Sequence, residues 1–221
     1  MTVTGMTTTR ADGLVAAERR ALAADLRGLT GEQWDRPSLC GGWTVADVVA
    51  HLGSAMTIGT SGWIRSIVGA GFRPGVHNQR QIERFRRATP GETLDRFARL
   101  GAAGGEPVRM PTKDPVPWLG ELIVHGEDIR RPLGIERSYP GEALGAVARF
   151  YASHDYAVNS RSQVKGLHLV SADVPFEANA GSDALVEGPI LALIMTMAGR
   201  PSHLGDLTGG GVPELRRRLR A

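Results

Sequence analysis

The segment Trp118-Leu-Gly-Glu121-Leu-Ile-Val-His125-Gly-Glu-Asp128-Ile-Arg-Arg131 constrains this chain most, because two periodicities are laid over each other within it. Trp118, Leu119, Leu122, Ile123 and Ile129 recur as one stripe at helical spacing, which demands a core for the helix to lie against. Glu121, His125 and Asp128 stand at i, i+4 and i+7, so on the same helix they share one side along the shoulder of that stripe. A Glu-x-x-x-His pair so placed can offer a divalent metal one carboxylate oxygen and one imidazole nitrogen. Two donors do not make a site. On this segment alone the favoured reading is the plainer one, a solvated helix face whose acid and histidine never meet a metal.

A second segment changes that balance. Trp34-Asp-Arg-Pro-Ser-Leu-Cys40-Gly-Gly-Trp43-Thr44-Val-Ala-Asp47-Val-Val-Ala-His51-Leu reads as a turn and then a sharply started helix. Thr44 suits the N-cap. Asp47, three residues on, serves as the acid of a shortened capping box and sits well at the positive end of the helix. Val45, Val48, Val49, Leu52 and Met56 follow at core spacing, and His51 falls on their shoulder as His125 does on its own helix. Two helices presenting His51, Glu121 and His125 to one seam would give three protein donors, the arrangement that leaves a catalytic metal an open position.

These residues carry a resemblance. Gly-Gly-Trp43-Thr-Val-Ala-Asp-Val-Val-Ala-His51-Leu resembles the second-helix signature of the DinB-like metalloproteins, in the branch related to mycothiol-dependent maleylpyruvate isomerase. Glu121-x-x-x-His125 with Asp128-Ile-Arg-Arg-Pro-Leu-Gly is similar to a later helix of that branch. Gly188-Pro-Ile-Leu-Ala-Leu-Ile-Met-Thr-Met-Ala-Gly199-Arg200, followed by Asp206-Leu-Thr-Gly-Gly-Gly-Val-Pro-Glu-Leu, gives a third match. The resemblance implies metal ligands at His51, Glu121 and His125, with zinc first and nickel or another divalent ion next. It implies mycothiol as thiol cofactor, bound with its sulfur on the metal. Asp128 and Arg200 follow as catalytic residues, Asp128 by orienting the His125 ring, and Arg80 and Arg200 as cofactor-binding residues that recognise anionic groups.

The function so implied is S-transfer from a low-molecular-weight thiol to a small electrophile by a metal-dependent enzyme. The alternatives are a mycothiol-dependent cis-trans isomerase of a maleylpyruvate-like acid, or a non-catalytic metal- or ligand-binding regulatory protein. The intact His51, Glu121 and His125 set argues against the last.

Composition agrees. At 221 residues and 42% hydrophobic the chain can bury one sizeable core and a smaller second unit. Its net charge of +3 is dispersed and aromatic residues make up 5%, which argues against a nucleic-acid surface. The one basic cluster, Arg216-Arg217-Arg218-Leu-Arg220, reads as cations in the last turn of a terminal helix. No apolar run is long enough to span a membrane. The single cysteine, Cys40, precludes an internal disulfide and suits the cytoplasm. Near a helix start Cys40 could be a reactive thiol, but a small apolar residue would serve there equally well, and the structural reading is preferred. The expected partners are a small-molecule substrate and the thiol, with no nucleic acid and no membrane, in a monomer or homodimer.

Along the chain, residues 1–10 read as a disordered tail. Helices are expected over 11–29 through Leu14, Ala17, Leu22 and Leu26, in a short turn from Thr30 to Gln33, from Thr44 onward, over Asn78–Arg87, and from Thr89-Pro90 through Leu94, Phe97 and Leu100. A loop over 101–117 leads into the Glu121/His125 helix, which Pro132 and Gly134 end. A further helix over 141–160 turns Leu144, Val147, Tyr151 and Val158 inward. From about Arg161 the pattern alternates as strands do, and a helix from Pro189 to Ala198 stops at Gly199. The fold class is therefore mainly α: a DinB-like up-and-down four-helix bundle over 11–160, then a small C-terminal α+β domain over 161–221. Of the other histidines, His77 is expected on an exposed loop, His154 buried and hydrogen-bonded, His168 on the sheet face opposite Leu167 and Leu169, and His203 in a loop.

Overall fold

Helix α1 (Thr8–Asp25) buries Leu14, Val15 and Leu22, and the stripe runs on to Leu26. The computed structural model describes residues 5–220. Residues 1–4 of the expected tail lie outside these, and the helix already includes Thr8 to Arg10. Ala17, expected inward, is exposed, while Glu18 and Arg19 beside it are buried. Specific polar partners hold that side of the helix. Glu18 pairs with Arg130 at 2.9 Å, and the Arg19 guanidinium donates to the carbonyls of Phe97 and Ala98 at 3.0 and 3.2 Å.

Three helices begin at a threonine marked in the sequence by an acid or amide three residues on. Thr30 caps α2 (Gly31–Trp34) with Gln33, Thr44 caps α3 (Val45–Ala55) with Asp47, and each pair forms a reciprocal capping box. The helix expected to run on from Thr44 breaks after Ala55 and resumes as α4 (Gly59–Gly69). Gly59 adopts the left-handed conformation, φ +62°, that a turn there requires and that glycine takes without strain. Helix α5 (Pro74–Phe85) starts four residues before the expected Asn78, since proline is tolerated in the first turn. The third capping box, Thr89 with Glu92, opens α6 (Pro90–Ala98).

Helix α7 (Val116–Leu133) ends at Gly134, which takes the left-handed cap expected of it. Pro132 does not end the helix but lies within its last turn. Helix α3 packs against α5, α6 and α7. With α2 and the part of α1 from Val15 onward these belong to a compact unit, Val15–Glu136.

The second unit comprises the described residues up to Leu14 and those from Arg137 onward. Helix α8 (Gly141–Ser153) stops short of the expected 160, and Val158 lies beyond it, half-exposed. The Ser153 hydroxyl folds back to the carbonyls of Arg149 and Phe150, competing for the last helical acceptors. A short α9 (Ser160–Gln163) precedes three strands, β1 (His168–Ser171), β2 (Glu177–Ala178) and β3 (Leu185–Gly188). The sheet order is β2-β1-β3, with β2 antiparallel and β3 parallel to β1, in register Leu169↔Ala178 and Leu169↔Val186. Helix α10 (Ile190–Met197) is buried along most of its length and packs on α8. A 3-10 turn over Pro201–Asp206 and α11 (Val212–Arg218) complete the unit, with Arg217 and Arg218 paired to Glu214 in the terminal helix. Helix α8 thus packs with the C-terminal elements, whereas the sequence pattern grouped it with the bundle. No helix among the described residues is long and apolar enough to cross a membrane.

Candidate metal centre

The seam between α3 and α7 is built from two apolar stripes. Val45, Val48, Val49, Leu52 and Met56 are buried on α3, and Trp118, Leu119, Leu122, Ile123 and Ile129 on α7. Side chains on the shoulders of both stripes are thereby carried toward one another. The side chains of His51, Glu121 and His125 keep only 13%, 16% and 10% of their surface exposed, and that of Asp128 keeps none.

The structure brings His51, Glu121 and His125 together, with one donor atom from each lying within 4.8 Å of the others. Glu121 Oε2 stands 3.9 Å from His51 Nε2 and 3.5 Å from His125 Nε2. Donors on a tetrahedral zinc at 2.0–2.1 Å are about 3.4 Å apart, so these separations need to close by only a few tenths of an ångström. Two imidazoles and a carboxylate form a donor set suited to zinc and its borderline neighbours.

Burial is the largest influence on His51 and lowers its pKa, only partly countered by Glu121, so the ring is held neutral and fit to donate a lone pair. For Glu121 burial alone would favour the acid form. Hydrogen bonding from His125 and His51 overrides it and keeps the carboxylate ionised. Burial likewise disfavours charge on His125, but Asp128, Cys40 and Glu121 together raise its pKa well above the usual histidine range. His125 Nδ1 meets Asp128 Oδ2 at 2.9 Å, leaving Nε2 on the side of Glu121. A carboxylate on the far nitrogen of a histidine fixes the ring's direction and raises its basicity.

Two further residues stand at this centre that the sequence did not place there. Trp43 lies with its ring 4.7 Å from that of His51 and 6.2 Å from that of His125. The thiol of Cys40 belongs to a second group, with donor atoms of Cys40, His125 and Asp128 within 4.8 Å of one another. Trp43 belongs to the segment that carries the family resemblance and Cys40 lies just before it, but a loop's position against another helix depends on tertiary packing, which no local spacing shows.

Arg80 lies on α5, exposed, and donates to the carbonyl of Gly69 at 2.7 Å. With Arg65, Ser66 and Arg84 it lines a cavity of about 340 Å³ between α4 and α5. Arg200 belongs to the C-terminal unit, half-buried before the 3-10 turn, and donates to Ala198 O at 2.6 Å. His77 is not on an exposed loop. It is buried in the first turn of α5, with Nδ1 2.9 Å from the Ser66 hydroxyl, a partner supplied by α4. His154 is half-exposed at the end of α8, stacked on Phe150, and His203 is buried in the 3-10 turn. His168 stands on β1 between buried Leu167 and Leu169 with its own side chain against Glu177, on the expected opposite face.

The family described as the mycothiol maleylpyruvate isomerase N-terminal domain matches residues 15–130, nearly the whole of the helical unit. Two crystal structures share the fold of the chain. That of a histidine-to-alanine mutant of the mycothiol-dependent maleylpyruvate isomerase has a TM-score of 0.59 at 18% identity, covering 94% of this chain and 95% of the other. The structure of mycothiol-dependent maleylpyruvate isomerase itself has a TM-score of 0.56 at 17% identity, with the same coverage. No curated protein matches the chain.

Proposed function

The chain belongs to the mycothiol maleylpyruvate isomerase N-terminal domain family, and from that premise we propose that it is a metal-dependent enzyme that presents a low-molecular-weight thiol, mycothiol or a close relative, to a small electrophile. The observation that carries this reading is the convergence of His51, Glu121 and His125 from two helices. A divalent ion held there, zinc first and nickel next, would supply Lewis acidity that lowers the pKa of a thiol.

The chain's own residues supply the rest. Asp128 holds the His125 ring by its Nδ1 hydrogen, and the buried flanks of α3 and α7 keep the donors within reach of each other without open solvent between them. Arg80, in a cavity with Arg65 and Arg84, is suited to receive a carboxylate, and Arg200 is assigned the same task, since a guanidinium can pair with both carboxylate oxygens. In transfer, the thiol sulfur bonds to the electrophilic carbon as a π bond or a leaving group of the electrophile takes up the displaced electron pair, the thiol proton passes to that pair, and the C–S bond is kept. In isomerisation, it adds to an activated double bond, the remaining single bond rotates, and the sulfur leaves. Transfer is the first assignment and isomerisation the second. A cytoplasmic setting, where small thiols are kept reduced, suits either reaction and the single free cysteine.

One observation favours a second reading. Cys40 beside His125 and Asp128 places a protein thiol where it could act as the nucleophile itself. Protein purified without chelator should contain about one zinc or nickel per chain by elemental analysis and should conjugate mycothiol to members of an electrophile panel. His125→Ala should lose the metal yet keep its helical circular dichroism, because the bundle buries enough apolar surface to fold without it. Protein that takes up no zinc on titration would overturn the metal reading. Activity that survives metal removal by chelator and omission of mycothiol, but is abolished by Cys40→Ser, would transfer the role to Cys40.

A further inference from the structure

The two histidines of the candidate centre are oriented by different means. His125 has a carboxylate on its outer nitrogen, Asp128 Oδ2 at 2.9 Å. His51 has no such bond. Among the described residues its ring meets Glu121 through Nε2, and no hydrogen bond reaches Nδ1. An imidazole without an outer partner is free to choose its tautomer and to rotate about its last side-chain bond. What lies against it instead is the indole of Trp43, tilted at 45° with the ring centres 4.7 Å apart. The two imidazoles stand edge to face, 5.0 Å apart.

The loop that carries Trp43 is fastened more firmly than a connector requires. The Ser38 N–H and hydroxyl both donate to Trp43 O, at 2.9 and 2.8 Å, and the same hydroxyl accepts from the Cys40 N–H at 3.1 Å. The Trp43 N–H donates to Cys40 O at 3.1 Å, closing a turn around Gly42, whose φ of +82° suits glycine. One backbone bond leaves the loop: the Leu39 N–H donates to the backbone carbonyl of Asp128 at 3.0 Å. The loop is therefore tied to the very residue that orients His125. The Thr44 cap then sets the direction in which α3, with His51, departs.

We propose that Trp43 is a positioning residue for the candidate metal centre: its indole, held by the 38–43 loop, fixes the His51 ring and steadies that of His125 so that both Nε2 atoms face Glu121. This rests on the metal reading above. Trp43 is itself half-buried, so core packing alone does not account for its place. An indole face carries the negative end of its quadrupole, which suits imidazoles that become more positive as they give up lone-pair density to a cation.

The test compares zinc affinity, by chelator competition, in wild type, Trp43→Ala, Trp43→Phe and Ser38→Ala, each checked for helical circular dichroism. Trp43→Ala should weaken zinc binding about 10- to 100-fold, the range found when a group that orients a ligand is removed. Trp43→Phe should recover most of the loss, and Ser38→Ala, which loosens the loop but keeps the indole, should fall between. Equal affinity in wild type and Trp43→Ala overturns the proposal while leaving the metal site standing. If wild type binds no zinc, the metal reading fails, and the positioning is then judged on metal-free protein by imidazole ¹H–¹⁵N correlation spectra. One His51 tautomer in wild type, averaged in Trp43→Ala and restored in Trp43→Phe, supports the role. A His51 spectrum that shows the same tautomer population in Trp43→Ala overturns it.

Discussion

Helices α4 and α7 draw on the same apolar residue types and end in opposite surroundings. Helix α7 buries nearly every residue from Val116 to Arg130, including Glu127, Asp128 and Arg130, whereas α4 buries none. Trp63, Ile64 and Val68 of α4 are 43%, 50% and 54% exposed, and just beyond the helix Phe72 is 72% exposed with φ at +56°. The difference lies in what each helix finds to pack on. Helix α7 faces the Val-rich stripe of α3 and is tied to α1 by Arg130, which pairs with Glu18 at 2.9 Å and Asp25 at 2.8 Å. Helix α4 has no side-chain cap and packs chiefly on α5, with polar bonds such as Gln81 to Ser66 at 2.6 Å. An apolar helical pattern shows that a helix can form; its partners decide whether it becomes a scaffold. The candidate donors stand on the scaffold, as a preorganised site requires.

The contrast can be broken most severely at Arg130. Arg130→Ala leaves Glu18 buried without its cation and should cost about 3–5 kcal/mol in denaturant unfolding, the usual penalty for removing one partner of a buried pair. A loss below 1 kcal/mol would mean that water reaches Glu18 and that the α1–α7 tie is not closed. Next comes the same truncation made in each region. Ile123→Ala, at a fully buried position of α7, should destabilise by about 2–5 kcal/mol. Ile64→Ala on α4 should stay within about 0.5 kcal/mol of wild type by the same measurement. Comparable losses from the two would show that α4 is covered in solution and that the distinction between the helices is wrong.

Much of the scaffold was legible because its signals are local. Thr30, Thr44 and Thr89 each precede an acid or amide at the capping spacing, and each starts a helix. Gly134 caps α7 and Gly199, with φ at +85°, follows α10 as read. The meeting of His51, Glu121 and His125 could be inferred from their equivalent places on two stripes, since stripes that pack together bring their shoulders together. What escaped depends on distant partners. Nothing local marks Glu18 and Arg19 for burial, because the groups that bury them, Arg130 and the carbonyls of Phe97 and Ala98, come much later in the chain. His77 was misplaced because Ser66, its partner, lies on a helix with no core stripe of its own to mark it. Trp43 and Cys40 sat in a turn whose destination, the Asp128 backbone, no local pattern reveals.

The capping boxes carry a consequence for the order of events during folding. A helix that satisfies its own first amide groups, as α3 does through Thr44 and Asp47, can nucleate from nearby residues alone. The donor set cannot, because His51 meets Glu121 and His125 only after the whole stretch from α3 to α7 has closed into a loop, and closure over a longer separation is entropically slower. Helix content should therefore appear early in refolding and the ability to capture zinc late. The metal ion would then serve as a clock on the final docking of α7.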